Sequence, residues 1–182
     1  EILNMGGVHN ILIEDNHFYP QVGFPAILLP QSSTGTMKVN KNYLDFTGIT
    51  HVGTNDMMEL HADGTSSQHI EVTNNFFVAP PLQYLTRMVE MNWGKYIDYY
   101  NNTFVFSGNS INTEITTLDM HACENINIKN NIFLNLDNTA TSIRFIDQNN
   151  GININYSHNI LHNINGDIAE VNGTTYSTFV SF

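Results

Sequence analysis

Six times along this chain an Asn closes a short run of alternating apolar residues, and the copies are nearly evenly spaced. They read Ile11-Leu-Ile-Glu-Asp-Asn16, Met37-Lys-Val-Asn-Lys-Asn42, Ile70-Glu-Val-Thr-Asn-Asn75, Ile97-Asp-Tyr-Tyr-Asn-Asn102, Ile126-Asn-Ile-Lys-Asn-Asn131 and Ile152-Asn-Ile-Asn-Tyr-Ser-His-Asn159. The steps between the closing Asn residues are 26, 33, 27, 29 and 28. A repeat of this length marks a stack of similar supersecondary units, each burying its apolar face against its neighbours. The 182 residues, 1–182, are therefore expected to form one solenoid domain.

Within a copy the apolar residues alternate, as in Ile70/Val72 and Ile126/Ile128, which is the period of a strand with one buried face. Two polar residues follow, then a second apolar run such as Phe76-Phe-Val or Ile132-Phe-Leu. So tight a bend needs a residue in or near the left-handed region, where Asn is the usual choice after Gly. Stacked coil on coil, the closing Asn residues can also hydrogen-bond to one another as a ladder. A third strand lies upstream in each repeat, over 57–62, 87–92, 117–122, 143–148 and 168–171. The expectation is an all-β, three-sheet parallel β-helix of about six coils. Little or no helix is expected, because no stretch carries an apolar stripe of helical period.

The run Asn125-Ile-Asn-Ile-Lys-Asn-Asn-Ile-Phe133 resembles the repeat of the right-handed parallel β-helix superfamily, whose members include pectate-lyase-like and other polysaccharide-processing proteins. The resemblance covers nearly the whole chain and rests on core and bend positions. It implies a right-handed coil with a carbohydrate groove along strand one and its flanking loops. It further implies a secreted bacterial protein, found extracellularly, at the cell surface or in the periplasm. An enzyme of this kind would be a polysaccharide lyase or a glycoside hydrolase. None of the superfamily's lysine–arginine or paired-aspartate catalytic motifs can be matched here, so cleavage stays open beside binding. A structural or adhesive solenoid without chemistry is the alternative. The tail 172–182 leaves the repeat and is expected to be irregular. With no amphipathic capping helix at either end, the chain is expected to be an internal segment whose neighbours are further coils.

Charge narrows the partners. The net charge is -11, with 6 Lys plus Arg against 17 Asp plus Glu. Phosphate affinity rests on Lys and Arg, so neither nucleic acid nor an anionic membrane surface is an expected partner. Calcium, neutral glycans and cationic partners are compatible. No apolar run is long enough to span a bilayer. Cys123 is the one cysteine, beginning a turn with no base beside it, and is expected to be inert.

Counting back 12 residues from the closing Asn aligns Glu90, Asp119 and Asp147 on strand one, and Glu59 and Glu170 join them by local pattern. Two residues on, the same face carries His61, Asn92, His121, Asn149 and Asn172. Carboxylates on adjacent coils would stand ~5 Å apart and repel. Three remedies are open: Ca²⁺ held by Glu90, Asp119 and Asp147; local cations from Arg87 and Arg144, each three residues before an acid; or splaying into water. Glu90, Asp119 and Arg144 are the candidate catalytic residues, and Glu59, His61, Arg87, Trp93, His121 and Asp147 the candidate carbohydrate-binding ones. His61 and His121 lie two coils apart, and a transition-metal site would need converging His ligands, so zinc is not expected. Trp93 and Tyr84 would flank the groove, and the loop 47–56 would wall it.

Overall fold

The protein is described by a computed structural model over residues 3–4, 9–19, 25–31, 34–48, 56–79, 87–106, 115–136, 143–163 and 168–176. Three strands recur per repeat, as the alternation requires, and among the described residues there is no helix. The first sheet takes Leu3–Asn4, Ile27–Leu29, Asp56–Leu60, Arg87–Asn92, Ile115–His121, Ile143–Asn149 and Ala169–Val171. The second takes His9–Glu14, Thr34–Asn40, Ile70–Thr73, Lys95–Tyr100, Glu124–Lys129 and Ile152–Ser157. The third takes His17–Phe18, Tyr43–Asp45, Phe76–Ala79, Thr103–Phe106, Ile132–Asn135 and Ile160–Asn163. Neighbours within each of these sheets come from successive repeats and run parallel. The chain is thus an all-β, three-sheet parallel β-solenoid.

Its coils are unequal. Four of them have first strands of five to seven residues, whereas the two ahead have first strands of two and three. The regular stack is therefore about four turns against the six expected, with two abbreviated turns before it. The tail differs too. Asn172 and Gly173 both adopt positive φ and turn the chain, so that Thr174–Tyr176 pairs antiparallel with Ala169–Val171. The beginning of the tail is a hairpin strand where irregular chain was expected, and residues 177–182 lie outside the described set.

The inward faces close on one continuous core. Phe77, Phe104 and Phe133 stack coil on coil with ring centroids 4.6 and 5.0 Å apart, and Phe18 packs against the same core. Tyr99 is fully buried, and its hydroxyl finds no hydrogen-bond partner.

The closing Asn residues form the ladder that their spacing allows. Asn102 Oδ1 accepts from the backbone N and the Nδ2 of Asn75, both at 3.0 Å, while Asn102 Nδ2 donates to Val72 O and Asn131 Oδ1. The same pattern links Asn16 to Asn42, Asn42 to Asn75 and Asn131 to Asn159. A side-chain amide has two N–H donors and two acceptor lone pairs, so each interior rung is fully satisfied, as a carboxylate or a hydroxyl could not be. The left-handed residue of the bend, however, is the one before the closing Asn. Asp15, Lys41, Asn74, Asn101, Asn130 and His158 hold φ between 53° and 58°. That turn sends the following Asn inward, where Asn42, Asn75, Asn102 and Asn131 are buried.

Candidate functional site

The first sheet brings the acids of successive coils into one row. Glu59 stands opposite Glu90, Glu90 opposite Asp119, Asp119 opposite Asp147 and Asp147 opposite Glu170. All five are partly exposed. Next along the face, Asn92, His121 and Asn149 are likewise in register. Asn92 and Asn149 each donate back to an acid of their own strand, Glu90 at 2.7 Å and Asp147 at 2.9 Å.

Of the three remedies for a row of like charges, local cations are the one built into this face. Arg87 Nη1 bonds Glu90 Oε1 at 2.7 Å and Asp119 Oδ2 at 3.2 Å. Its Nε and Nη2 grip the two oxygens of Asp56 at 2.7 and 3.3 Å. Arg144 bridges Asp147 at 2.6 Å and Glu170 at 2.9 Å. Strict alternation would turn residues three apart to opposite faces. Strand one breaks that rule, because Met57 with Met58, Met88 with Val89, Thr117 with Leu118 and Phe145 with Ile146 are successive buried pairs. The break returns Asp56, Arg87 and Arg144 to the side of the acids.

Burial sets the electrostatics. The Asp56 side chain is 3% exposed, and burial pushes its carboxyl up to about 6 while Arg87 pulls against it. Burial also raises Asp119, again opposed by Arg87. Burial raises Glu59 as well, with the neighbouring Glu90 charge second. For Arg87, burial draws the pKa down, but Asp56, Glu90 and Asp119 more than reverse this. A guanidinium held this way stays cationic and cannot abstract a proton.

Beyond the acids lies the bend between the first and second sheets. Trp93 is 52% exposed, and its ring meets that of His121 edge to face, centroids 6.3 Å apart. Trp93 holds φ at 60° and Tyr96 at 52°. The corresponding left-handed positions of the next two coils are Ala122 and Asn125, then Asn150 and Asn153. Tyr96 lines an open pocket of about 300 Å³ with Ser66, His69, Asn125, Asn127 and Asn153. Of these, His69 places its Nδ1 3.1 Å from Asp98 Oδ1, which also accepts from Asn127 at 2.8 Å.

Glu59, Glu90, Asp119, Asp147, Arg87 and Arg144 therefore meet on one face, with Trp93 and His121 at its edge. His61 approaches Glu59 and Glu90 and is separated from His121 by the coil carrying Asn92. Tyr84 and residues 49–55 of the loop 47–56 lie outside the described residues. Asp56, expected at the end of that loop, is instead the first residue of a strand and the most buried acid of the site. The pocket of His69 and Tyr96 falls on the second sheet and draws its residues from four separate segments, so no local motif marks it in the sequence. Cys123 is buried, its Sγ 3.2 Å from Met91 O, and burial pushes its thiol up to about 11, so it is no nucleophile at neutral pH. No protein-family model, no curated protein and no solved structure matches this chain.

Proposed function

We propose that this chain is a carbohydrate-binding β-solenoid module, and that a neutral polysaccharide lies across the bend marked by Trp93 and Tyr96. What supports this is the cost the chain bears there. A non-Gly residue in the left-handed region costs roughly 1–2 kcal/mol, and bulky side chains are the rarest there. The two following coils fill these left-handed positions with small or amide residues, whereas this one fills both with aromatic rings. Strain of that kind is retained where a side chain has a task. Trp93 offers an exposed ring for stacking on a sugar face, and Asp119, Asn92 and His121 offer hydrogen-bonding groups beside it. A net charge of -11 favours a neutral glycan over a uronate.

Binding is better supported than cleavage. Arg87 is paired with three carboxylates and Arg144 with two, so neither is a base for a lyase reaction. The repeat's resemblance to pectate-lyase-like proteins points to a polysaccharide ligand and to work outside the cytoplasm. A ligand-free structural solenoid is the second reading. In its favour, Arg87 already ties Asp56, Glu90 and Asp119 together, and Arg144 ties Asp147 to Glu170.

Thermal melting against a panel of neutral β-glucan, mannan and galactan oligosaccharides, with polygalacturonate as the anionic arm, separates the two. A ligand that binds only the native state raises the melting temperature. Binding at the bend predicts a rise with at least one neutral glycan that disappears in Trp93→Ala. If no glycan shifts the wild type, or if Trp93→Ala responds equally, the module is a spacer.

A further inference from the structure

We propose that Glu59, His61 and Glu90 form a binding site for one divalent transition-metal ion of the Zn²⁺ type. The strand Asp56–Leu60 places Glu59 opposite Glu90 of the next coil, and His61 follows two residues after Glu59. His61 Nε2 lies 3.9 Å from Glu59 Oε2 and 4.0 Å from Glu90 Oε2, and the three donor atoms all fall within 4.8 Å of one another. Those distances are too long for hydrogen bonds. They suit an ion, since a centre equidistant from three atoms so spaced lies at most about 2.5 Å from each, within a few tenths of an ångström of zinc–ligand lengths.

Two further features point at an ion. His61 Nε2 is shielded from solvent and has no hydrogen-bond partner, which is costly for a ring nitrogen unless something else engages it. Glu90 is held through one oxygen only: Oε1 accepts from Arg87 and from Asn92, both at 2.7 Å, leaving Oε2 turned toward His61. Outer hydrogen bonds that fix a carboxylate by its far oxygen are the usual support of a metal ligand. Arg87 bonds that far oxygen, Asp56 and Asp119, and none of the three donor atoms. The imidazole selects against Ca²⁺, which takes oxygen ligands, and in favour of a borderline transition metal. Three protein ligands leave a fourth position for water or a ligand. The site is independent of Trp93, and its test needs no glycan.

The test is calorimetric titration of the chelator-stripped chain with Zn²⁺, with Ca²⁺ as a second arm and Co²⁺ as a spectroscopic probe. The wild type is expected to bind one Zn²⁺ more tightly than Ca²⁺, and bound Co²⁺ to give the intense visible bands of low coordination number. His61→Gln and Glu59→Gln should each weaken Zn²⁺ at least tenfold, and His162→Gln, on an exposed third-sheet position, should leave it unchanged. Without metal, Glu59→Gln should melt at or above the wild type, because a carboxylate facing Glu90 is gone, so its lost binding cannot be ascribed to unfolding. A wild type that binds no Zn²⁺, or a His61→Gln or Glu59→Gln variant that binds it as the wild type does, overturns the proposal.

Discussion

Replacing Asn102 tests what holds the coils in register. Its side chain makes four hydrogen bonds of 2.8 to 3.0 Å and is completely buried. In Asn102→Ala the Asn75 backbone N–H loses its acceptor outright, which costs about 2 kcal/mol for a buried donor. Asn75 Nδ2, Val72 O and Asn131 Oδ1 each lose one bond, at about 1 kcal/mol apiece or somewhat less. The total is about 4 kcal/mol, a large share of the stability of an ordinary domain. Asn102→Asp should do worse at neutral pH, because it sets a carboxylate oxygen against Val72 O and Asn131 Oδ1. Burial would raise the new acid's pKa, so the loss should shrink as pH falls and the acid takes up a proton. Asn16→Ala, on an exposed rung, is the control and should cost about 1 kcal/mol. The assay is urea unfolding followed by far-ultraviolet circular dichroism. Equal midpoints for Asn102→Ala and Asn16→Ala would mean that the ladder contributes nothing beyond filling space.

Three further outcomes follow from the buried charges and the core. Arg87→Met should destabilise by about 3 kcal/mol, because it strands Asp56, and Asp56→Asn in the same chain should recover part of that loss in thermal melts. The wild type should be more stable near pH 5 than near pH 7.5, by about 1 kcal/mol from Asp56 alone. The sign follows because a carboxyl whose pKa is raised to about 6 keeps its proton in the folded chain after the unfolded chain has lost it, so stability falls as pH rises through that range. A melting temperature that climbs steadily from pH 5 to pH 7.5 would contradict it. Tyr99→Phe removes a buried hydroxyl without a partner and should raise stability by about 1 kcal/mol in the same melts, whereas a loss would mean that the hydroxyl is satisfied.

Much of the architecture is legible in the residues, for identifiable reasons. The closing Asn residues mark the coil length because a buried amide ladder tolerates almost nothing else, so the same residue recurs at every rung. The acid row is legible because alternation is local and the coils share one register. Period two misleads where strand one buries two residues in succession, which is why Asp56 looks like loop, although the three-residue spacing of Arg87 to Glu90 already marks those two as partners. Asn172-Gly173 is a strong hairpin signal that the solenoid pattern overshadows. The exposure of Trp93 depends on the left-handed bend beneath it, and composition alone does not fix that. The grouping of Glu59, His61 and Glu90 needs two neighbouring strands considered together, whereas a search for paired histidines passes over it.

Trp93 is the only tryptophan in the chain, so its fluorescence reports on the bend and nowhere else. Titrating the native protein with a neutral oligosaccharide that raises its melting temperature should shift the Trp93 emission to shorter wavelength, saturably, as a sugar ring covers the exposed face. The same titration in Tyr96→Asn, which introduces the residue type of the two following coils, should need a higher glycan concentration. An emission spectrum that stays fixed while a glycan binds would put the binding surface elsewhere and contradict the account.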